Sequence, residues 1–345
     1  MNSLIITQPD DWHVHFRDGE FLPYTVAATA ASFARALVMP NLQPALTELS
    51  DLLDYHQRIL AAIPKKDAAF TPYMTFYLNE KLKPETLEQA KSYPFILGAK
   101  LYPAGATTHS AEGVRSIKTL YPLLELMQAQ GLTLQIHGEV THGDIFDREE
   151  AFIQEHLRAI VHNFPKLRIV LEHISSAAAV NFVMNTPDQV VATITPQHLL
   201  YNRNQLLAGG IRPHYYCLPI LKTASDQRAL QTAACSGNPK FFAGTDSAPH
   251  ARQTKENACG CAGIYSAPYA VALYTQVFAQ LDQLRRLNDF LSRFGAEFYG
   301  LSVNRKQIEL RKYAQQIPAT LPFGTDEVVP IAAGESIDWS SYECS

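Results

Sequence analysis

The sequence predicts an α/β fold in which eight strand–helix units close into a (β/α)8 barrel of the TIM type, with a small C-terminal appendage. Three observations predict it. Eight short apolar runs recur along the 345 residues. Segments with apolar residues at helical spacing separate them. Nearly every run also ends in a reactive or hydrogen-bonding group, as expected where a site forms at the C-terminal ends of barrel strands.

The runs lie at Asp11–Phe16, Ala34–Met39, Phe70–Tyr77, Phe95–Leu101, Leu132–His137, Leu167–His173, Val190–Thr195 and Lys240–Thr245. Several are rich in Val, Ile, Phe and Tyr, which suits parallel strands buried on both faces. Between them, Leu49, Leu52, Leu53, Ile59, Leu60 and Ile63 recur at helical spacing. So do Ile117, Leu120, Leu123, Leu124 and Met127, and Phe152, Ile153, Leu157, Ile160 and Val161. Further helical segments are expected from about Pro268 to Phe294. The chain reads as one domain, with the barrel over about 8–300. The appendage, about 301–345, contains Pro318, Pro322 and Pro330 and short β-like pieces.

Composition excludes several classes. Hydrophobic residues make up 47 % and charged residues 18 %, a core-forming balance. The formal net charge of −4 offers no basic surface for nucleic acid. No stretch reaches the roughly 20 apolar residues of a membrane helix. The N-terminus lacks the basic start and apolar run of a signal peptide. The cysteines Cys217, Cys235, Cys259, Cys261 and Cys344 form no even framework, and free thiols in a reducing cytoplasm are the simplest reading.

The strand ends carry the chemistry. His13 and His15 are two apart, so in a strand they share a face with Arg17, opposite Trp12, Val14 and Phe16. They are either a metal clamp of neutral imidazoles or two ordinary strand histidines. Lys100 lies in an apolar run. Its head either snorkels to solvent or is held neutral, where it can react with carbon dioxide to give a carbamate, an anionic oxygen ligand. His137 and His173 end two successive strands, and with His13 and His15 they suit zinc or a similar metal. Asp246, after the last strand, either caps a turn or faces the His13/His15 pair as a ligand and proton acceptor. His56, His156 and His162 are expected to be solvated on helices. His109, His142 and His214 are expected to be loop or structural residues. His198 stays open between support of the site and plain packing.

Read in order, the strings Asp11-Trp-His-Val-His-Phe-Arg-Asp18, Val38-Met-Pro-Asn41, Ala99-Lys-Leu-Tyr-Pro103, Ile136-His-Gly-Glu-Val-Thr-His142, Leu171-Glu-His-Ile174, Thr195-Pro-Gln-His198 and Gly244-Thr-Asp-Ser-Ala-Pro-His250 resemble those of the dihydroorotases of the amidohydrolase superfamily, in their shorter, homodimeric bacterial type. The resemblance runs from about residue 10 to 265 and is weaker beyond about 300. It implies two zinc ions, one held by His13, His15 and Asp246 and the other by His137 and His173, with carbamylated Lys100 bridging them. It implies reversible hydrolysis of dihydroorotate to N-carbamoyl-L-aspartate in pyrimidine biosynthesis by a metal-activated hydroxide, with Asp246 as proton shuttle. Arg17, Asn41 and His250 match contacts to the substrate carboxylate, Leu218 and Ala262 match backbone contacts to the ring, and Thr107 and Thr108 match a loop that closes over substrate. A homodimer in the cytoplasm is implied as well.

Without the resemblance, Arg17 reads first as a surface ion pair with Asp18 or Glu20. Glu139, Glu172 and Thr141 are candidate partners for the second ring nitrogens of the ligand histidines. The competing enzyme readings are a hydantoinase, an allantoinase or another cyclic amidase. The competing reading outside catalysis is a barrel used as a scaffold.

Overall fold

The structure, a computed structural model, describes residues 2–258 and 260–343. An initial strand β1 (Ser3–Thr7) precedes eight more, β2 (Asp10–Val14), β3 (Arg35–Val38), β4 (Thr71–Leu78), β5 (Ile96–Leu101), β6 (Thr133–Ile136), β7 (Ile169–Leu171), β8 (Val190–Ile194) and β9 (Phe241–Ala243). Each of the eight falls within, or overlaps, one of the apolar runs. They pair in parallel, each with the next in sequence, from β2 round to β9. Helices such as Leu49–Ala62 and Tyr121–Gln130 cover the outside. The segment from Arg148 to Asn163 is helical throughout, with one π turn at Ile153–Leu157.

Alternation along the strands sorts two apolar layers. Ala36, Val38, Ile169, Leu171, Phe241 and Ala243 face outward, where helix residues Val26, Leu52, Ile59, Leu124 and Met127 pack on them. Leu37, Val170, Val191 and Phe242 face inward and fill the lumen with Trp12, Phe294 and Tyr299. Tyr299 stacks on Trp12 at 4.6 Å. A Cβ at Gly295 would lie 2.0 Å from the Trp12 indole nitrogen, so only glycine lets this last helix, Phe294–Phe298, plug the N-terminal end of the barrel.

Strand β2 departs from simple alternation. Trp12 joins the lumen, whereas Val14 and Phe16 join the outer layer. Its register with β3 shifts between Asp11 and Val14, a bulge that lets neighbouring Trp12 and His13 both turn inward. The strand also stops at Val14, and Arg17 has φ +60, so a turn and not the strand pleat aims its side chain. The barrel closes beside these residues. Asp246 N–H donates to the His13 carbonyl (2.9 Å) and His15 N–H to the Ser247 carbonyl (3.0 Å). Buried Asp11 braces the seam, accepting from Thr245 N–H (2.8 Å), Thr245 Oγ1 (2.6 Å) and His13 N–H (3.2 Å).

The C-terminal tail forms β10 (Gln307–Arg311), β11 (Gln315–Gln316), β12 (Leu321–Phe323), β13 (Asp326–Val328), β14 (Ser336–Ile337) and β15 (Ser340–Glu343). Strand β1 pairs antiparallel with β10, which pairs with β15, so the two ends of the chain share one small sheet. His56 is buried, contrary to its expected solvation, because its ring stacks on Phe95 at 3.9 Å. Cys217, Cys235 and Cys261 are free thiols. Cys259 and Cys344 lie outside the described residues. Among the described residues no helix is long and apolar enough to cross a membrane.

Candidate metal centre and substrate cleft

The barrel turns a linear series of strand ends into one group. The rings of His15 and His13 lie 5.3 Å apart, His13 and His173 4.9 Å, and His173 and His137 4.8 Å. Oδ1 of Asp246 is 3.2 Å from His15 Nε2 and 3.5 Å from His13 Nε2. The ligand atoms of these three residues all lie within 4.8 Å of one another. Lys100, on β5, is fully buried beside them, its Nζ 5.2 Å from the Tyr102 ring centre.

The other ring nitrogens show what the group lacks. His15 Nδ1 is 2.7 Å from Asn41 Oδ1, and His13 Nδ1 is 2.9 Å from Glu172 Oε2. Asn41 Oδ1 accepts, so the His15 ring proton sits on Nδ1, whereas Glu172 Oε2 lies beside His13 Nδ1 without the geometry of a hydrogen bond. His15 Nε2 then turns a lone pair toward the Asp246 carboxylate. Burial also drives both imidazoles toward the neutral form, with the Lys100 charge adding to the effect at His13. Lone pairs facing a carboxylate repel unless a cation lies between them. Buried atoms without hydrogen-bond partners extend the pattern: His13 Nδ1 and Nε2, Lys100 Nζ, His173 Nδ1, Glu139 Oε1 and Glu172 Oε1. Buried polar groups are rarely left so. The donor set therefore fits metal ions with nitrogen and oxygen ligands.

Two acidic residues support the row. Glu139 Oε2 meets His137 Nε2 at 2.9 Å. Glu172 accepts from Thr193 Oγ1 (2.6 Å), which in turn accepts from His173 N–H (2.7 Å). Thr141 is exposed and takes no part. Burial pushes the Glu172 carboxyl up to about 7, partly opposed by Lys100. Burial pulls the Lys100 ammonium down to about 8, against Glu172 and Asp246. Burial raises the Asp246 carboxyl, but His15, His13 and Lys100 beside it outweigh the effect, so its range lies below the usual one. Arg17, His173 and Asp246 all have φ near +40 to +60, as does His109 in the adjoining loop. Backbone strain of this kind concentrates where a site must hold a side chain in place.

Outside the row is a cleft lined by His15, Arg17, Asn41, Tyr102, Thr107, Thr108, His137, His173, Leu218, Asp246, Ala248, Ala262 and Gly263. Of the candidate site residues only His13, Lys100 and His250 do not line it. The first two are buried behind it, and His250 Nε2 lies 3.0 Å from Arg17 Nη2 and 3.0 Å from the Ala262 carbonyl. Arg17 makes no ion pair with Asp18 or Glu20. Asp18 pairs with Arg58 and Glu20 accepts from Thr325 N–H. Arg17 Nε donates to the Pro249 carbonyl (3.0 Å), and nothing among the described residues accepts from its Nη1.

Asn41 joins the metal group to the neighbouring loop, since its Nδ2 donates to the Thr108 carbonyl (3.3 Å). The Thr108 hydroxyl donates to the Ala262 carbonyl (3.2 Å), and Ser110 closes the turn on Thr107. His198 takes a hydrogen bond from Thr195 Oγ1 (2.8 Å) and donates to the Pro219 carbonyl (2.9 Å), so it supports the segment that carries Leu218. Sequence reasoning passed over Tyr102, Tyr55, Thr193 and Asp11. Tyr102 had a legible signal, two residues beyond Lys100. Tyr55, which donates to the Arg17 carbonyl (2.6 Å), is far from it in sequence and had none.

The model of the amidohydrolase family matches residues 4–326. A dihydroorotase of Coxiella burnetii is 54 % identical over 341 residues, covering 98 % of each chain. The chain belongs to the amidohydrolase family, among its dihydroorotases. The crystal structure of a Saccharomyces cerevisiae dihydroorotase in complex with 5-fluoroorotic acid superposes with a TM-score of 0.92 at 34 % identity, covering 99 % of both chains. An L-hydantoinase of Arthrobacter aurescens shares the fold alone, with a TM-score of 0.79 at 15 % identity over 98 % of this chain and 83 % of the other. The barrel is thus common to both chains.

Proposed function

We infer that this chain opens and closes the dihydroorotate ring, interconverting it with N-carbamoyl-L-aspartate in pyrimidine biosynthesis. The observation that carries this reading is Arg17. A guanidinium with an unused Nη1 stands in the same cleft as the histidine row and Asp246, suited to a substrate that bears a carboxylate on the ring that contains its scissile amide. Asn41 and His250 flank it. Hydantoin has no such carboxylate.

His13, His15 and Asp246 would hold one zinc ion and His137 and His173 a second, with Lys100 as a carbamate between them. The support is the unpartnered, desolvated Nζ, the unpartnered His13 ring nitrogens and the His15 tautomer imposed by Asn41. When bound, the metals would polarise the ring carbonyl and lower the pKa of water. The protein's own groups do the rest. Arg17, Asn41 and His250 hold the carboxylate, and the Leu218 and Ala262 backbone orients the ring. Thr107 and Thr108 close over it and exclude water. Asp246 accepts a proton from the attacking water as its oxygen bonds to the carbonyl carbon. The C–N bond then breaks, and Asp246 passes that proton to the departing nitrogen. The cytoplasm and a homodimer are the expected setting.

The test is a ring-opening assay with metal quantitation, run with dihydroorotate and with hydantoin and repeated on Asp246→Asn. The expected result is about two metals per chain, preference for dihydroorotate and a loss of roughly 10²–10⁴-fold in the variant. Full turnover by Asp246→Asn would remove the proton shuttle. Preferred turnover of hydantoin would make the chain a different cyclic amidase. Metal-free protein after careful purification would favour a scaffold.

A further inference from the structure

Lys255 ends the short helix Arg252–Lys255 and is 4 % exposed. Among the described residues no carboxylate pairs with it. Its Nζ donates instead to three backbone carbonyls, those of Tyr216 (3.0 Å), Cys261 (2.8 Å) and Gly263 (2.5 Å). Three donations require the ammonium, since a neutral amine has only two N–H groups. The three carbonyls belong to the two segments that carry Leu218 and Ala262 into the cleft. Gly263 N–H also donates to the Tyr216 carbonyl (3.0 Å). Gly263 has φ +147, and a Cβ there would lie 2.4 Å from the Ala248 carbonyl oxygen, so the segments meet where only glycine fits. Lys255 ties them together.

One of these bonds reaches the cleft through a single peptide unit. The bond between Cys261 and Ala262 is trans, so its C=O and N–H point in opposite directions. The C=O end rests on the Lys255 ammonium. At the other end Ala262 lines the cleft, and nothing among the described residues accepts from its N–H. The Ala262 carbonyl, in contrast, is occupied by Thr108 and His250. A cation on a peptide oxygen draws electron density from the nitrogen and strengthens the N–H as a donor. We propose that Lys255 is a positioning residue that fixes and polarises the Cys261–Ala262 peptide, making the Ala262 N–H a strengthened donor to an oxygen of the bound substrate. The proposal rests on the reading of this cleft as the dihydroorotate site.

The test compares Lys255→Gln, which is neutral but can still donate, with Lys255→Arg, which keeps the charge. Both are assayed as holoenzymes with dihydroorotate, with metal content and thermal midpoint measured alongside. Lys255→Gln is expected to raise KM about five- to tenfold, the difference between a charge-assisted and a neutral hydrogen bond, with metal content unchanged and kcat much less affected. Lys255→Arg should recover most of the KM. A folded Lys255→Gln with the wild-type KM overturns the proposal. So does an equal fall in kcat for both variants at constant KM, which would mark a purely structural tie. An inactive wild type would refute the dihydroorotate reading instead. A second measurement needs no variant of Lys255. In [15N]alanine-labelled wild-type holoenzyme, the Ala262 amide proton, assigned by its absence in Ala262→Gly, should move downfield on saturation with dihydroorotate. It should move further than that of Ala248, and no such shift overturns the proposal.

Discussion

The two ends of strand β2 treat buried charge in opposite ways. At its start Asp10 faces Arg35 of β3. Arg35 Nε donates to Asp10 Oδ1 (2.8 Å), Nη2 to Oδ2 (2.5 Å) and Nη1 to the Ser302 carbonyl (2.9 Å), and Asn304 adds a further donor to Asp10 (2.8 Å). The guanidinium also lies over the Trp12 ring. Donor and acceptor complete each other, and nothing is left for a ligand. At the other end, three residues on, His13 Nε2 and the neighbouring Lys100 Nζ have no partner although both are buried. The same barrel therefore has a saturated end that holds structure and an unsaturated end that something else must complete. Satisfaction of buried polar atoms, more than burial or charge, separates them.

The largest expected effect tests the unsaturated end. Lys100→Met should abolish ring opening by at least about 10³-fold, since several kcal/mol of metal-derived stabilisation go with it. The metal-free protein should melt no lower than the metal-free wild type, because an unpartnered buried ammonium is replaced by an apolar chain of similar length. A fall of several degrees in calorimetry would show that Lys100 has a stabilising role the comparison denies it. Arg35→Met is the mirror experiment. It leaves Asp10 buried without its cation and should cost about 3–5 kcal/mol in denaturant titration, with kcat per folded molecule unchanged.

A smaller effect lies between the two. Thr193→Val removes the hydroxyl shared by Glu172 and His173, and metal affinity should weaken roughly 10–100-fold, read by competition with a chelator. Unchanged affinity would detach the supporting acids from the metal group. The smallest effect belongs to Arg58→Ala. Its pair with Asp18 is saturated but half-exposed, with side chains 47 % and 34 % accessible, and its loss should shift stability by about 0–1 kcal/mol. A larger loss would mean that pairing matters regardless of burial.

Much of the site was legible because its residues sit at strand ends, and strands announce themselves by apolar runs. His13, His15, Lys100, His137, His173 and Asp246 could each be assigned a place in the ring from sequence spacing, and the Leu49–Ala62 helix from its periodicity. Arg17 was legible in its place but not in its cause. Pleat alternation predicts its direction, yet the strand has already ended and a left-handed turn aims it. His56 was misread because helical spacing alone does not reveal Phe95 across the interface. Lys255 was not legible at all, since its three acceptors are backbone carbonyls, which have no residue signature.

By itself the sequence determined the strand–helix alternation, the identity of the groups at the strand ends and the family to which the chain belongs. The first two follow from local periodicity and side-chain chemistry, and the third from motifs shared in order with relatives; none depends on knowing distant contacts. Only the tertiary structure decided which nitrogen of His15 and of His137 is engaged, which acid lies against which ring, and that Lys100 is left without a partner. Those are consequences of barrel closure. Asp246 N–H on the His13 carbonyl and His15 N–H on the Ser247 carbonyl join residues more than two hundred positions apart, and the directions of lone pairs and protons are set only when that seam forms.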